Sequence, residues 1–216
     1  AHRPTRGTTN THAQRPDQHA PEVGSEAGRQ SGRGQALRAE SKADDDQEAG
    51  GDNLSQEVRR DVADGRSRAE DAKLGGLIRD KTPWTLEKLY ALPQTSQITR
   101  HICVEGWSAI GKWEGVPFAE FLRRIGADTS AKYVAFKCAD DYHTSIDMPT
   151  ALHPQTLLTL RYDGQTLPAE YGFPLKLRMP TKLGYKNPKH IQAITITNSY
   201  PGGYWEDQGY NWFGGS

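Results

Sequence analysis

No tryptophan, tyrosine or phenylalanine occurs before Trp84; all five tryptophans, nine tyrosines and five phenylalanines lie from there onward. Residues 1–73 are poor in aliphatics as well, holding only Val23, Leu37, Leu54, Val58 and Val62. A segment so short of apolar area cannot offset the entropy of ordering it. Residues 1–73 are therefore expected to form a low-complexity, disordered tail, either a native extension or a stretch translated out of frame, and 74–216 to form the folded domain. The chain lacks any run of 18 apolar residues, which excludes a transmembrane helix and shows no intact signal peptide. Net charge is absent too, with 27 basic against 27 acidic side chains, so no overall field favours nucleic acid. Only two cysteines occur, Cys103 and Cys138, too few and too far apart for a zinc site or a Cys-x-x-Cys-His haem attachment. His2, His12 and His19 are scattered in the tail and read as solvated.

What the second part does contain is patterned. Thr85 is placed to cap a short helix carrying Leu86, Leu89 and Tyr90, stopped by Pro93. Ile98 to Val104 reads as a strand leading into a glycine-bearing loop. Pro117 opens a second helix whose stripe is Phe118, Phe121, Leu122 and Ile125, with Gly126 at its exit. Tyr133 to Cys138, Thr156 to Tyr162 before an Asp163-Gly164 turn, Phe173 to Met179 and Ile191 to Thr197 read as further strands. Along the third of these, Leu175, Leu177 and Met179 share one face and Lys176 and Arg178 the other. The fold class expected is α+β, with site-bearing loops between short strands.

Three stretches can carry chemistry. In the first, Cys103 ends a strand and is either an ordinary buried thiol, a nucleophile or a soft-metal ligand, with His101 on the same face to lower its pKa or simply to pack. The second is a basic run, Lys176, Arg178, Lys182, Lys186, Lys189 and His190, without an intervening acid; it is either a solvated surface or an anion pocket. The third is the aromatic and glycine-rich ending from Tyr200, which can line a pocket, close the core or cover a partner. Cys138 reads as a core thiol.

Several long motifs then line up in one order. Arg100 to Ser108 with Ala109 to Trp113 and Gly115 to Pro117, Tyr142 to Met148, Tyr171 to Pro180, Lys182 to Lys186, Lys189 to Ile191, Gly203 to Trp205 and Gly209 to Gly215 together resemble the catalytic domain of bacterial molybdopterin-dependent oxidoreductases of the sulfite oxidase family. The resemblance implies a sulfite-oxidase-type molybdopterin-binding domain, expected to be incomplete at its N-terminal side, and a molybdenum-molybdopterin cofactor. It implies Cys103 as the molybdenum ligand and catalytic centre, with Lys176, Arg178 and Lys189 at the pterin phosphate. A soft thiolate beside dithiolene sulfurs suits oxygen-atom transfer to or from a small substrate such as sulfite or a sulfoxide. Electrons would be exchanged with a separate cytochrome or membrane haem subunit, and the periplasm is the compartment implied. Glu105, Gly106 and Trp107 stand where eukaryotic-type relatives carry Asn and two Arg, which makes the surroundings of the metal less cationic and weakens sulfite as substrate. Tyr171 replaces a histidine and Lys176 an arginine of those enzymes. The competing readings are a cofactor-binding or anion-binding module without turnover, a nucleic-acid-associated protein, which salt-dependent duplex binding would reveal, and a cysteine hydrolase, for which His101 lacks an evident orienting partner.

Overall fold

The computed structural model describes residues 71–216; the rest of the chain, with nearly all of the expected tail and His2, His12 and His19, lies outside the described residues. The described elements run β1 (Lys73–Gly76), α1 (Leu86–Tyr90), β2 (Thr95–Ile102), β3 (Ser108–Pro117), α2 (Phe118–Arg124), β4 (Tyr133–Cys138), β5 (His143–Asp147), α3 (Met148–Ala151), β6 (Leu157–Tyr162), β7 (Gln165–Thr166), β8 (Lys176–Arg178) and β9 (Ile191–Thr197). The class is α+β, with short helices set against two sheets.

Local signals act as their chemistry dictates. Thr85 accepts a hydrogen bond from the Lys88 amide at 3.1 Å and opens α1. Asp147 does the same for Thr150 at 2.9 Å and opens α3. Pro117 starts α2, whose Phe118, Phe121 and Leu122 are buried. Asp163 and Gly164 both take positive φ, 47° and 79°, which suits the tight turn joining β6 to β7.

The first sheet has the order β1-β9-β4-β5; β1 runs parallel to β9 and the other pairs are antiparallel. The second has the order β2-β3-β6-β7, with β8 also on β6, all antiparallel. One core joins them: Val116, Leu158, Leu160 and Leu177 meet Val134, Phe136, Ile146, Ile194 and Ile196, with Phe118, Phe121 and Leu122 of α2 between. Cys138 is buried in it, and the two cysteines form no disulfide.

Beyond the added strands β1, which opens at Lys73 inside the expected tail, and β5, the structure departs from the sequence reading in three places. The segment after Cys103 is a loop only as far as Trp107, because Ser108–Pro117 is a ten-residue strand at the heart of the second sheet. Gly111 and Gly115 break its hydrophobic alternation, which hides the strand from pattern reading. The strand expected to run to Val104 stops at Ile102, leaving Cys103 in the turn. The strand expected over Phe173 to Met179 pairs only at Lys176–Arg178.

Candidate functional site

The site face of the second sheet follows from register. Thr159 lies opposite Lys176 and Leu157 opposite Arg178, so both basic side chains of β8 share a face with Thr159, while Leu177 points into the main core. Between β3 and β6, Glu114 pairs with Arg161 but Gly115 pairs with Thr159, so Leu160 is an extra residue. Such a bulge reverses the alternation and re-aims the side chains beyond it. Tyr162 is thereby turned from the core side to the face of Trp113, its direct partner.

Trp113 is the centre of this face and is fully buried. Its ring meets Tyr162 at 4.6 Å and Tyr171 at 5.9 Å, both edge-on. Lys176 Nζ lies 5.3 Å and the Arg178 guanidinium carbon 5.4 Å from the indole centroid, within cation–π range. Arg178, 0% exposed, donates to His101 Nδ1 at 3.2 Å, Thr99 Oγ1 at 3.3 Å and Asn187 Oδ1 at 3.4 Å. Guanidinium groups only donate, so Nδ1 must accept and the imidazole is neutral with its proton on Nε2, a tautomer assigned from the donor pattern. The Nδ1 lone pair is thus committed to Arg178, which leaves His101 unsuited to act through Nδ1 as the base of a cysteine hydrolase.

Lys189 reaches the same neighbourhood from the segment before β9. Its Nζ donates to the Glu170 carbonyl at 2.8 Å, in the turn that presents Tyr171 to Trp113. The structure therefore brings Lys176 and Arg178 together on one ring and holds Lys189 on the adjoining turn. All three are buried, which rules out a plain solvated surface for this half of the basic run.

Cys103 is 2% exposed and sits two residues beyond His101. It begins a tight turn in which its amide donates to the Trp107 carbonyl at 3.0 Å and its carbonyl accepts from the Gly106 amide at 3.1 Å. The sulfur accepts the Glu105 amide at 3.3 Å, and its thiol donates to Glu105 Oε2 at 3.8 Å. The Trp107 indole N–H donates to the same Oε2 at 3.2 Å. The Trp107 ring stands 5.7 Å from that of His101, which ties the turn to the sheet.

Lys182 and Lys186 turn elsewhere. Lys186 is buried against Glu206 in an ion pair and donates to the Ser145 carbonyl at 2.6 Å. Burial, opposed by Glu206, holds its pKa below the ordinary lysine range. Thr144 donates to the same carboxylate at 2.7 Å. A Cβ on Gly203 would run into the Glu206 carboxylate, so a side chain there would push Glu206 off Lys186. Lys182 donates to the Phe213 carbonyl at 2.8 Å and lies over that ring. These two lysines secure the aromatic ending, with Trp212 donating to Ser145 Oγ at 2.8 Å.

The donor set suits a phosphate-bearing metal cofactor. The Trp113 Nε1 and Thr159 Oγ1 atoms are buried without a hydrogen-bond partner among the described residues, on the same face as Lys176 and Arg178. Polar atoms left so are costly. With the buried basic side chains and a thiol at the sheet end, they form a lining that a polar, anionic group with a soft metal would satisfy. Among the described residues no cluster of three or more His, Cys, Asp or Glu can hold a metal, so a thiolate-plus-cofactor donor set suits the chain better than an all-protein cage. Trp113, Tyr162, Thr159 and Thr99 are lining residues of this candidate site that sequence reasoning missed, exposed by strand register, while Asn187, read from sequence as a turn residue of the basic run, reaches Arg178 and the Met179 amide through its side chain.

Residues 68–205 match the family model described as the oxidoreductase molybdopterin binding domain. A protein of Azospira oryzae, provisionally named protein-methionine-sulfoxide reductase subunit YedZ1, is 78% identical over 144 residues, covering 67% of this chain and 55% of that protein. The protein-methionine-sulfoxide reductase catalytic subunit MsrP of Ralstonia nicotianae is 32% identical over 155 residues, covering 64% of this chain and 47% of its own length. The chain thus spans about half the length of the curated relatives it matches. Among solved structures, the sulfane dehydrogenase SoxCD of Paracoccus pantotrophus superposes with a TM-score of 0.56 at 20% identity, over 60% of this chain and 38% of that one, a likeness of fold.

Proposed function

The chain belongs to the oxidoreductase molybdopterin binding domain family, as a bacterial member of the sulfite oxidase group, and on that premise we propose that it serves in the reduction of sulfoxides. The observation that carries the reading is the buried Cys103 turn at the end of a sheet face whose buried cations are Lys176 and Arg178. The names of the two relatives, both methionine-sulfoxide reductase subunits, support sulfoxide over sulfite.

In this reading Cys103 supplies the thiolate to molybdenum, and Lys176, Arg178 and Lys189 hold the phosphate end of the pterin through charge-assisted hydrogen bonds. The bound cofactor supplies the two-electron oxygen-atom chemistry. The net change is a sulfoxide plus two electrons and two protons giving a thioether and water, with the electrons delivered by a separate haem-bearing partner. The chain's own contribution is to orient the cofactor, to keep water off the sheet face with Trp113, Tyr162 and Tyr171, and to fix Arg178 through His101. The family resemblance supports the periplasm as the working compartment.

The test is molybdenum and pterin content per chain, from a host able to make the cofactor, followed by reduction of a small sulfoxide with a reduced dye. Near-stoichiometric loading with turnover is expected. Cys103→Ser, which changes little volume, should abolish turnover while leaving the unfolding free energy from urea titration within about 1 kcal/mol of wild type. Turnover at the wild-type rate in that variant would remove Cys103 from the metal. Loading without turnover on any sulfoxide would favour the cofactor-binding module instead.

A further inference from the structure

The cations and the carboxylate of the site are segregated. Lys176 and Arg178 gather on Trp113, Lys189 on the turn beside it, and Glu105 stands at the thiol end, its Oε2 3.8 Å from the Cys103 sulfur. Three things fix that carboxylate. Its own amide is tied to the sulfur at 3.3 Å, the Trp107 indole N–H donates to it at 3.2 Å, and the Trp107 and Gly106 backbone close the turn on Cys103. Cys103 is buried, whereas Val104, Glu105 and Gly106 are exposed, so the solvent side of the turn is acidic. A face that carries lysine and arginine favours any small anion, and selection by charge therefore has to act at the reacting end.

We propose that Glu105 is a specificity-determining residue: its fixed carboxylate beside the Cys103 sulfur repels anionic oxo compounds such as sulfite and admits neutral sulfoxides. The inference rests on the reading of Cys103 as the reacting end of a sulfoxide-reducing site. The Trp107 ring adds a surface suited to a neutral thioether or sulfoxide, since sulfur packs favourably at aromatic edges. Charge is the stronger selector of the two, because sulfite and a dialkyl sulfoxide differ little in size at the reacting sulfur.

The full chain without metal allows the charge effect to be read apart from turnover. Cys103 is modified with two thiol reagents of the same chemistry, neutral methyl methanethiosulfonate and its anionic sulfonatoethyl analogue, and the rates are followed by mass spectrometry of the Cys103 peptide. The Cys138 peptide serves as internal reference. Both reagents attack the same thiolate, so their rate ratio cancels any change in thiol ionisation. Glu105→Gln is expected to raise the relative rate of the anionic reagent about fourfold at low ionic strength, as for a unit charge some 5 Å away in a water-like dielectric. Salt at about 0.5 M should bring the wild-type ratio close to that of the variant. Trp107→Phe, which keeps the ring but releases the carboxylate, should move the ratio part of the way. A ratio that is the same in wild type and Glu105→Gln at low salt, or that shifts equally at Cys138, overturns the proposal. A charge-dependent ratio in the metal-free chain, together with no reduction of any sulfoxide by the loaded protein, would instead refute the proposed activity and leave the charge filter in place.

Discussion

Lys176 and Lys186 belong to one run of basic side chains and both are buried, yet the fold gives them opposite surroundings. Lys186 is closed in by a carboxylate, Glu206, and the Ser145 carbonyl, at the seam where the aromatic ending returns onto β5. Lys176 shares a strand with Arg178 over the Trp113 ring, beside the orphaned Trp113 Nε1 and Thr159 Oγ1. The lesson is that charge in a sequence has no single meaning. One half of the run is spent on closing the fold and the other gathers on the buried face around Trp113, and strand register together with a partner that arrives from Glu206 makes the division.

The sharpest way to break this comparison is to remove Lys186. Lys186→Met leaves Glu206 buried beside a thioether, and an uncompensated buried charge of this kind costs about 3–5 kcal/mol. A large fall in the urea midpoint is expected, with cofactor content per folded chain little changed. Lys186→Met combined with Glu206→Gln should recover much of that loss, since a neutral pair no longer carries a desolvated charge. A double variant as unstable as the single one would mean that Lys186 stabilises by packing and not by pairing.

The opposite half is tested by Lys176→Met and Lys189→Met, which keep the stem volume and remove the ammonium. Each charge-assisted contact to a phosphate is worth about 1.5–3 kcal/mol, so cofactor affinity should fall roughly tenfold to a hundredfold per site. Stability without cofactor should hold or rise, because a buried ammonium is costly to desolvate. Unchanged molybdenum and pterin occupancy in both variants would move the phosphate pocket away from this sheet face.

How much of this division is legible in the sequence depends on the range of the interaction. Thr85, Pro117 and the Asp163-Gly164 turn act over a few residues, and their elements form where expected. The alternation of Leu175, Lys176, Leu177 and Arg178 was readable as two faces, and the faces are as read, although all four are buried. By contrast, β3 is interrupted by glycines, and its status as a strand depends on pairing with both β2 and β6. Tyr162 joins Trp113 only because of a bulge at Leu160, a feature of pairing between strands and not of local pattern. The neutralisation of Lys186 comes from twenty positions further on, which no scan of the basic run alone can find. The family motifs named Cys103, Lys176, Arg178 and Lys189, and the register supplies the Trp113 ring around which Lys176 and Arg178 gather.

The smallest effect concerns Lys182, the remaining member of the closing half. Its ammonium lies over the Phe213 ring and donates to the Phe213 carbonyl at 2.8 Å, and burial holds its pKa down at about 8. Lys186 nearby pushes it the same way, while Asp147 opposes both. A base whose pKa is lower in the folded chain than in the unfolded one is a liability while charged. Below about pH 8 both states hold the proton and the cost is complete; between about 8 and 10.5 the unfolded chain holds a proton that the folded chain has lost, so this group makes stability rise with pH. The Tyr185 hydroxyl, pushed up to about 12 by burial, has the opposite sign, since it resists ionising in the fold when the unfolded chain already ionises near 10. The two contributions separate between about pH 8 and pH 9.5, below the ordinary tyrosine range. Urea midpoints across that interval should climb relative to Lys182→Met, which carries no titrating group at this position. Parallel curves for the two proteins would mean that Lys182 keeps an ordinary lysine pKa, and that the closing half of the basic run contains one buried charge at Lys186 instead of two.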